Sequence, residues 1–548
     1  MFHLTQVLDC VCNAVPEREA IVCRGKRWTF ADFADRSSRL ANALGALKLG
    51  CHQERETVED WQSGQDLIAI YLHNGNEYLE TMFGAFKARV APFNVNYRYV
   101  EQELAYLLNN AKARAIVYQR SFGEKLAAIR DRLPDLQIFI EIDDGGPSYI
   151  DDAIDYEFLL EAATPDTVML PYSPDDLYIL YTGGTTGKPK GVLWRQGDIW
   201  ISVLGGRRLS DKGIIESLDE VAAIAREGTM PVMPAPPFMH AAGQWNAIMG
   251  LFAGNTVVIQ DQVAHFDAAD ILDTIEREKV VMLSIVGDAF AIPLIEEIKM
   301  GSRDLGTLRF FLNSGAHLSA RTKKELTRLL PKTRILDFLG STEGGNQGQH
   351  VEDIEGHPSG TFKMSPSSAV LSEDRTALLE EGHDGLGWWA RRKYVPIGYL
   401  NDEVATKKTF VRIDGERFAI AGDRAQLLGG DLVRLFGRDS LVINSGGEKI
   451  FVEEVEEALK KHAAVKDALV VGRESARWGQ EAVAVVQLHP DTEAQETAIH
   501  EESSRHIARY KLPKQIFFVP EIVRHANGKP DYRWAAAYVK GQKVQEGA

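Results

Sequence analysis

The sequence predicts an α/β fold in two parts: a large N-terminal region, residues 1–437, of α/β-layered subdomains, and a small α+β unit, residues 440–548. Three observations carry this. At 548 residues the chain exceeds what one hydrophobic core sustains, so at least two domains are expected. Short apolar runs alternate with helical stretches, the order that builds parallel sheets with helices packed between strands. After Gly437-Arg438-Asp439-Ser440 a stretch of about a hundred residues has its own alternation, an ordinary size for a domain.

Taken in order, Asp66-Leu-Ile-Ala-Ile-Tyr-Leu reads as a strand, Glu77 to Val90 as a helix and Ala115-Ile-Val-Tyr as a strand. Strand-like runs follow at Asp176-Leu-Tyr-Ile-Leu, Thr256-Val-Val-Ile, Val280-Val-Met-Leu-Ser-Ile and Arg334-Ile-Leu-Asp-Phe. Two stretches look inserted. Residues 51–64 are mostly polar and read as a surface excursion. Residues 206–229 are rich in charge with a helical run at Ile214–Ala225, either a flap near a substrate or a plain surface helix. In the last unit Leu441-Val-Ile and the Ser445-Gly-Gly turn lead into a helix at Glu453–His462 with Val455, Ala458 and Leu459 on one face. Strands are expected at Ala468–Val471 and Ala482–Leu488, a polar helix at Thr492–Tyr510, a strand at Gln515–Val519, and then an Asn-Gly-Lys loop. No internal repeat or low-complexity segment interrupts the order.

Composition narrows the function. A net charge of −16, from 62 Lys+Arg against 78 Asp+Glu, repels nucleic acid and anionic membranes alike. The four cysteines, Cys10, Cys12, Cys23 and Cys51, have no zinc-ligand spacing and argue for a reducing cytoplasm. The N-terminus has no basic segment followed by an apolar run, and no stretch reaches the roughly 18 apolar residues of a membrane span, so neither export nor spanning is expected. The oligomeric state stays open, a homo-oligomer included.

The most informative stretch is Tyr181-Thr-Gly-Gly-Thr-Thr-Gly-Lys-Pro-Lys-Gly-Val, leaving the strand at Asp176. Glycines let backbone N–H groups turn toward an anion, threonine hydroxyls add neutral donors, and lysines compensate phosphate charge. A surface turn needs one or two glycines, not three interleaved threonines. In a Walker A loop Gly-Lys-Ser/Thr opens a helix; here Lys188 precedes Pro189, which removes the next N–H donor. The loop therefore handles phosphate by another route.

This loop resembles the signature Thr-Ser-Gly-Thr-Thr-Gly-x-Pro-Lys-Gly of the adenylate-forming superfamily, which comprises acyl-CoA synthetases, luciferases and peptide-synthetase adenylation domains. Thr182 to Gly191 match it at every fixed position except Gly183, which stands in place of the serine. The resemblance covers residues 15 to 537 and implies a mobile C-terminal domain turning on a hinge at Asp439. It implies that Thr182, Gly183, Gly184, Thr185, Thr186, Gly187, Lys188 and Lys190 hold the ATP phosphates.

Leu339-Gly-Ser-Thr-Glu-Gly-Gly is similar to the family's aromatic-Gly-x-Thr-Glu motif, which implies that Thr342 contacts the α-phosphate and Glu343 binds Mg²⁺. A carboxylate suits a hard dication shared with phosphate oxygens. Either Leu339 or Phe338 packs on adenine, with Gly340 and Ser341 beside it. Asn313-Ser-Gly-Ala-His-Leu resembles the adenine wall, placing Ser314, Gly315 and Ala316 there. Ala421-Gly-Asp423 resembles the family's Thr-Gly-Asp, so Asp423 would hold the ribose hydroxyls, with Arg438 nearby. Lys529, in Asn-Gly-Lys-Pro, resembles the family's catalytic lysine; an ammonium between carboxylate and α-phosphate offsets their repulsion in the transition state. His240, in Pro-Pro-Phe-Met-His-Ala-Ala-Gly, would orient or gate the substrate, or be a buried structural histidine.

Asn444-Ser-Gly-Gly-Glu-Lys449 looks most like acyl-CoA synthetases among the family's branches, placing Ser445, Gly446, Gly447 and Lys449 on a coenzyme A face. Trp194-Arg-Gln, Val286-Gly-Asp-Ala-Phe-Ala and Gly528-Lys-Pro-Asp-Tyr-Arg-Trp resemble fatty-acid and steroid-side-chain CoA ligases. An apolar acid is therefore expected, in a pocket drawing on Phe238, Met239, Ala242, Trp245, Gly287 and Ala289. The activity implied is an acid–CoA ligase using MgATP and coenzyme A. Two other readings remain: an adenylating enzyme that loads a carrier-protein phosphopantetheine, and a catalytically silent nucleotide-binding protein suggested by Gly183, Leu339, Ala421 and Gln196.

Overall fold

A computed structural model describes residues 1–541 apart from 167–169, 184–187, 209, 302, 316–317, 319, 351–360, 382, 384, 439–441, 491 and 524–530. Of the residues singled out above, Gly184, Thr185, Thr186, Gly187, Ala316, Asp439 and Lys529 lie outside the described residues; for Arg438 only the strand position is described.

The alternating order produces two α/β layers. The first holds a five-stranded parallel sheet, in the order Ala91–Asn94, Leu67–Tyr71, Ala115–Gln119, Ile138–Ile142 and Ile154–Asp155. Every residue of Leu67–Tyr71 is buried, as expected for a strand covered on both faces. The second is a 14-stranded sheet with a parallel centre of Thr256–Ile259, Pro231–Pro234, Met282–Ile285, Phe310–Ser314 and Arg334–Ser341. Helices Phe30–Ala46 and Asn76–Lys87 pack together where Gly84 admits the close approach, since a Cβ there would stand 2.7 Å from Leu40 Cδ2.

The expectation of parallel sheets fails beyond Ser341. There the large sheet continues antiparallel through Gly345–His350, Thr361–Met364, Leu432–Arg438, Glu416–Gly429 and Gly387–Arg392. A separate three-stranded antiparallel sheet is formed by Leu177–Gly183, Pro189–Arg195 and Gly398–Tyr399.

The C-terminal unit folds on its own five-stranded sheet with an apolar core on each face. Its first helix runs Val452–Leu459, burying Val455, Ala458 and Leu459 as the spacing requires. The polar helix expected over 492–510 is shorter, Glu496–Ser503. Ser504 Oγ donates back to Glu501 O at 2.8 Å, an alternative to the helical ladder, and Pro513 cannot continue a helix. A closing helix, Tyr532–Gly541, carried no signal recognised in the sequence.

The helix expected from Ile214 begins instead at Leu218 and runs to Glu227, because Ser217 caps it by accepting from Glu220 N. It packs on helix Leu4–Ala14, with Cys10 Sγ donating to Leu218 O at 3.1 Å. The flap reading thus fails for the helix, but Arg207, Arg208 and Lys212 just before it line the main cavity. No helix among the described residues is long and apolar enough to cross a membrane.

Candidate active site

Two hairpins bring the nucleotide motifs together. Strands Leu177–Gly183 and Pro189–Arg195 pair antiparallel, Thr182 opposite Lys190, so both ends of the Gly-Thr-rich stretch are anchored in one strand pair. The Asn94 amide fixes its root: Oδ1 accepts from Tyr181 N at 2.7 Å, while Nδ2 donates to Tyr181 O at 2.9 Å and to Met239 O at 2.6 Å. Lys190 pairs with Asp402 at 3.0 Å and lies over the Tyr399 ring; Lys188 lies over the Tyr106 ring.

The second hairpin joins Arg334–Ser341 to Gly345–His350, with Thr342-Glu343-Gly344 as its turn. Ser341 Oγ accepts from Gly344 N at 2.9 Å and tightens that turn. It is braced from two sides. Trp194 Nε1, fully buried on the first hairpin, donates to Thr342 O at 3.0 Å. Tyr399 OH donates to Glu343 Oε1 at 3.0 Å, and Tyr399 itself pairs with Val192 in the three-stranded sheet. No described lysine or arginine forms an ion pair with Glu343, so a hard cation held by the Glu343 carboxylate would meet no resident competitor.

Both hairpins border one cavity of about 1410 Å³. Thr182, Ser314, Gly315, Phe338, Leu339, Gly340, Ser341 and Thr342 line it. His240, Met239, Ala242, Trp245 and Ala289 form an apolar section of its wall. Two pocket expectations are corrected. Phe238 is buried behind the wall, edge-on to Tyr78 at 5.6 Å, with its N–H donating to Asn74 Oδ1 at 2.6 Å. Gly287 opens helix Gly287–Met300, its N–H donating to Asn313 Oδ1 at 2.7 Å, while Val286, Ala289 and Phe290 face the cavity. Lys188, Lys190, Glu343 and Asp423 stand off the wall; Asp423 is buried and lies opposite Arg438 in the strand register.

The C-terminal unit closes the cavity. Gly446, Gly447, Glu448 and Lys449, in the hairpin of Val442–Ser445 and Glu448–Phe451, join the wall; Ser445, in the first strand, does not. Gly447 has φ +86 and a Cβ there would stand 2.3 Å from Val286 Cγ1, so only glycine lets the hairpin approach this closely. Glu448 reaches across to the N-terminal region, accepting from Arg98 and meeting His240 Nε2 at 2.9 Å. Burial alone pushes the Glu448 carboxyl up, but His240, Arg98 and Lys511 outweigh it and hold it at about 2. Beside it Lys511 Nζ bridges Glu103 at 2.6 Å and Glu454 at 2.7 Å. Burial, reinforced by the Glu103 charge and despite Lys511, raises the Glu454 carboxyl to about 7.

Glu448, Arg98 and Lys511 were missed in the sequence. Glu448 sits inside the Ser-Gly-Gly-Glu-Lys stretch and could have been read; Arg98 and Lys511 carry no local pattern, since only the docking of two regions gives them meaning.

A family model described as AMP-binding enzyme matches residues 8–385. The chain belongs to the AMP-binding enzyme family. In this AMP-binding enzyme a second model, AMP-binding enzyme C-terminal domain, matches residues 454–529. The AMP-binding enzyme is 46% identical over 536 residues to the medium-chain acyl-CoA ligase Mig of Mycobacterium avium, covering 97% of this chain and 98% of that one. It is 36% identical over 549 residues to the 3-oxocholest-4-en-26-oate–CoA ligase of Rhodococcus rhodochrous, covering 97% and 95%. Its fold superposes on the o-succinylbenzoate CoA synthetase of Bacillus subtilis with a TM-score of 0.77 at 23% identity, covering 98% of both chains.

Proposed function

We propose that this AMP-binding enzyme is an acyl-CoA synthetase that activates an apolar carboxylic acid with MgATP and transfers the acyl group to coenzyme A. The observation that carries the reading is that one cavity is lined at once by the Phe338–Thr342 segment, by the apolar Met239–Trp245 section and by Gly446 to Lys449. Nucleotide, acid and thiol ends meet there. The relatives named as a medium-chain acyl-CoA ligase and a steroid-acid CoA ligase support an apolar acid.

The chemistry runs in two halves. The acid's carboxylate oxygen attacks the α-phosphorus and pyrophosphate leaves, turning a poor electrophile into a mixed anhydride; the thiol of coenzyme A then attacks the acyl carbon and AMP leaves. Glu343 suits a Mg²⁺ ion, which would neutralise phosphate charge when bound, and Thr342 is assigned to the α-phosphate. Lys529 is assigned to the first half, as the cation between the two anions. Asp423 and Arg438 are assigned to the ribose, and the segment Thr182 to Lys190 to the outer phosphates.

The docked arrangement, with Gly446 to Lys449 in the wall, suits the second half. In it the His240 ring is held by Glu448 at 2.9 Å, a positioning that supports gating over proton transfer. The domain boundary is placed at the Asp439 hinge, between residues 437 and 440. Four unpaired cysteines support a cytoplasmic setting.

The test is acid-dependent ATP–pyrophosphate exchange over fatty, aryl and steroid acids, then AMP release with and without coenzyme A. Exchange with an apolar acid and CoA-dependent AMP release are expected. Exchange without CoA-dependent release would point to a carrier-protein thiol, and no exchange at all to a silent nucleotide-binding protein. Lys529→Ala should nearly abolish exchange while leaving thiolation of supplied acyl-AMP partly intact.

A further inference from the structure

One wall of the cavity is built from residues that none of the motifs above includes. Arg391, near the end of strand Gly387–Arg392, faces the cavity yet is 3% exposed. Among the described residues its donors reach only hydroxyls: it donates to Ser365 Oγ, and through Nη2 to Ser202 Oγ at 3.0 Å, while the buried Nε has no partner there. Among the described residues no carboxylate pairs with it. Burial lowers its pKa to about 10, and the neighbouring Arg207 charge adds to that, so the group remains a cation at neutral pH.

Among the described residues the other deeply buried arginine is treated differently. Arg89 is clamped by Asp176 at 2.7 Å and Glu54 at 2.7 Å. A buried guanidinium left with hydroxyls alone is an incomplete donor set, because desolvation is compensated only by a full set of acceptors or a counter-charge. Arg207 lines the same wall and is likewise turned to neutral acceptors, Lys212 O at 3.0 Å and Ser367 Oγ at 3.4 Å. The missing acceptor is one that enters through the cavity.

We propose that Arg391, with Ser202, Ser365 and Arg207, binds a second oxygen function carried on the apolar body of the acid, so that the enzyme selects oxo- or carboxylate-bearing acids over plain hydrocarbon chains. The inference rests on the acyl-CoA synthetase reading and adds a specificity site to it. A site built to bond an oxygen rejects the analogue that lacks it, because the buried donors are then left unpaired.

The experiment measures kcat/KM for CoA-dependent AMP release with matched acids of about ten and about sixteen carbons. Each length is supplied as the plain acid, the ω-1 oxo acid and the α,ω-diacid. The oxygen-bearing acids should be preferred by about tenfold to a hundredfold, the range for one charged hydrogen bond. A preference for the oxo acid alone assigns a neutral carbonyl; one for the diacid alone assigns a carboxylate. In Arg391→Met the preference ratio should fall toward one, whatever happens to the absolute rates. Arg207→Met should lower it partway, and gives the same readout if Arg391→Met fails to fold. Turnover of all acids with no preference in the wild type, or a ratio unchanged in the variants, overturns the inference alone. No turnover of any acid overturns the synthetase reading and the specificity site with it.

Discussion

Replacing Glu448 by Gln tests whether the docked arrangement serves the thiol step. The carboxylate is part-buried between Arg98 and His240, and its pKa is held at about 2 against an ordinary 4.5. At 1.36 kcal/mol per pKa unit this corresponds to about 3 kcal/mol favouring the ionised, docked form. The sign follows from the depressed value: the contribution is present above pH 4.5 and is lost as pH falls toward 2. Glutamine keeps the shape and one acceptor but removes the charge, so docking should weaken by up to about a hundredfold. Quenched-flow single turnover with synthetic acyl-adenylate and coenzyme A would show thioester formation slowed at least tenfold, with acid-dependent pyrophosphate exchange unchanged. Equal loss in both half-reactions, or none in either, would refute the reasoning.

Three further outcomes are expected. Because Glu454 is raised to about 7 beside Lys511 and Glu103, the docked state favours its protonated form, and the thiol step should weaken relative to exchange as pH rises through 7; a pH–rate profile of Glu454→Gln should lack that slope. Trp194→Phe leaves the Thr342 carbonyl without its buried donor and should cost about 2 kcal/mol, read as a lower urea midpoint at constant slope. Tyr399→Phe removes the hydroxyl that orients Glu343, and should raise the Mg²⁺ concentration needed for half-maximal exchange several-fold while leaving the saturated rate within about twofold.

Much of the fold was legible because it is written in local patterns. The buried run Leu67–Tyr71 and the one-sided Val455, Ala458 and Leu459 each declare an element within a few residues. The antiparallel continuation past Ser341 was not legible, since pairing Gly345–His350 back onto Arg334–Ser341 is a property of the turn between them. The nucleotide motifs were visible as dense stretches of glycine, threonine and lysine. The residues that organise the site from outside them were not: Arg391 and Lys511 are unremarkable until burial removes water from one and two carboxylates surround the other. Phe238 shows the converse, a residue adjacent to the wall in sequence whose side chain points away into the core.

The bracing of the Thr342-Glu343 turn ties two distant stretches of chain into one mechanical unit. Trp194 and Tyr399, which hold that turn, both belong to the three-stranded sheet that also carries Thr182 and Lys190. A disturbance of this small sheet should therefore displace together the residues proposed for phosphate and for metal. In laboratory evolution of the enzyme, the apolar Met239–Trp245 wall should accept variation with nucleotide use retained, whereas changes in Pro189–Arg195 or Gly398–Tyr399 should be tolerated only in compensating pairs.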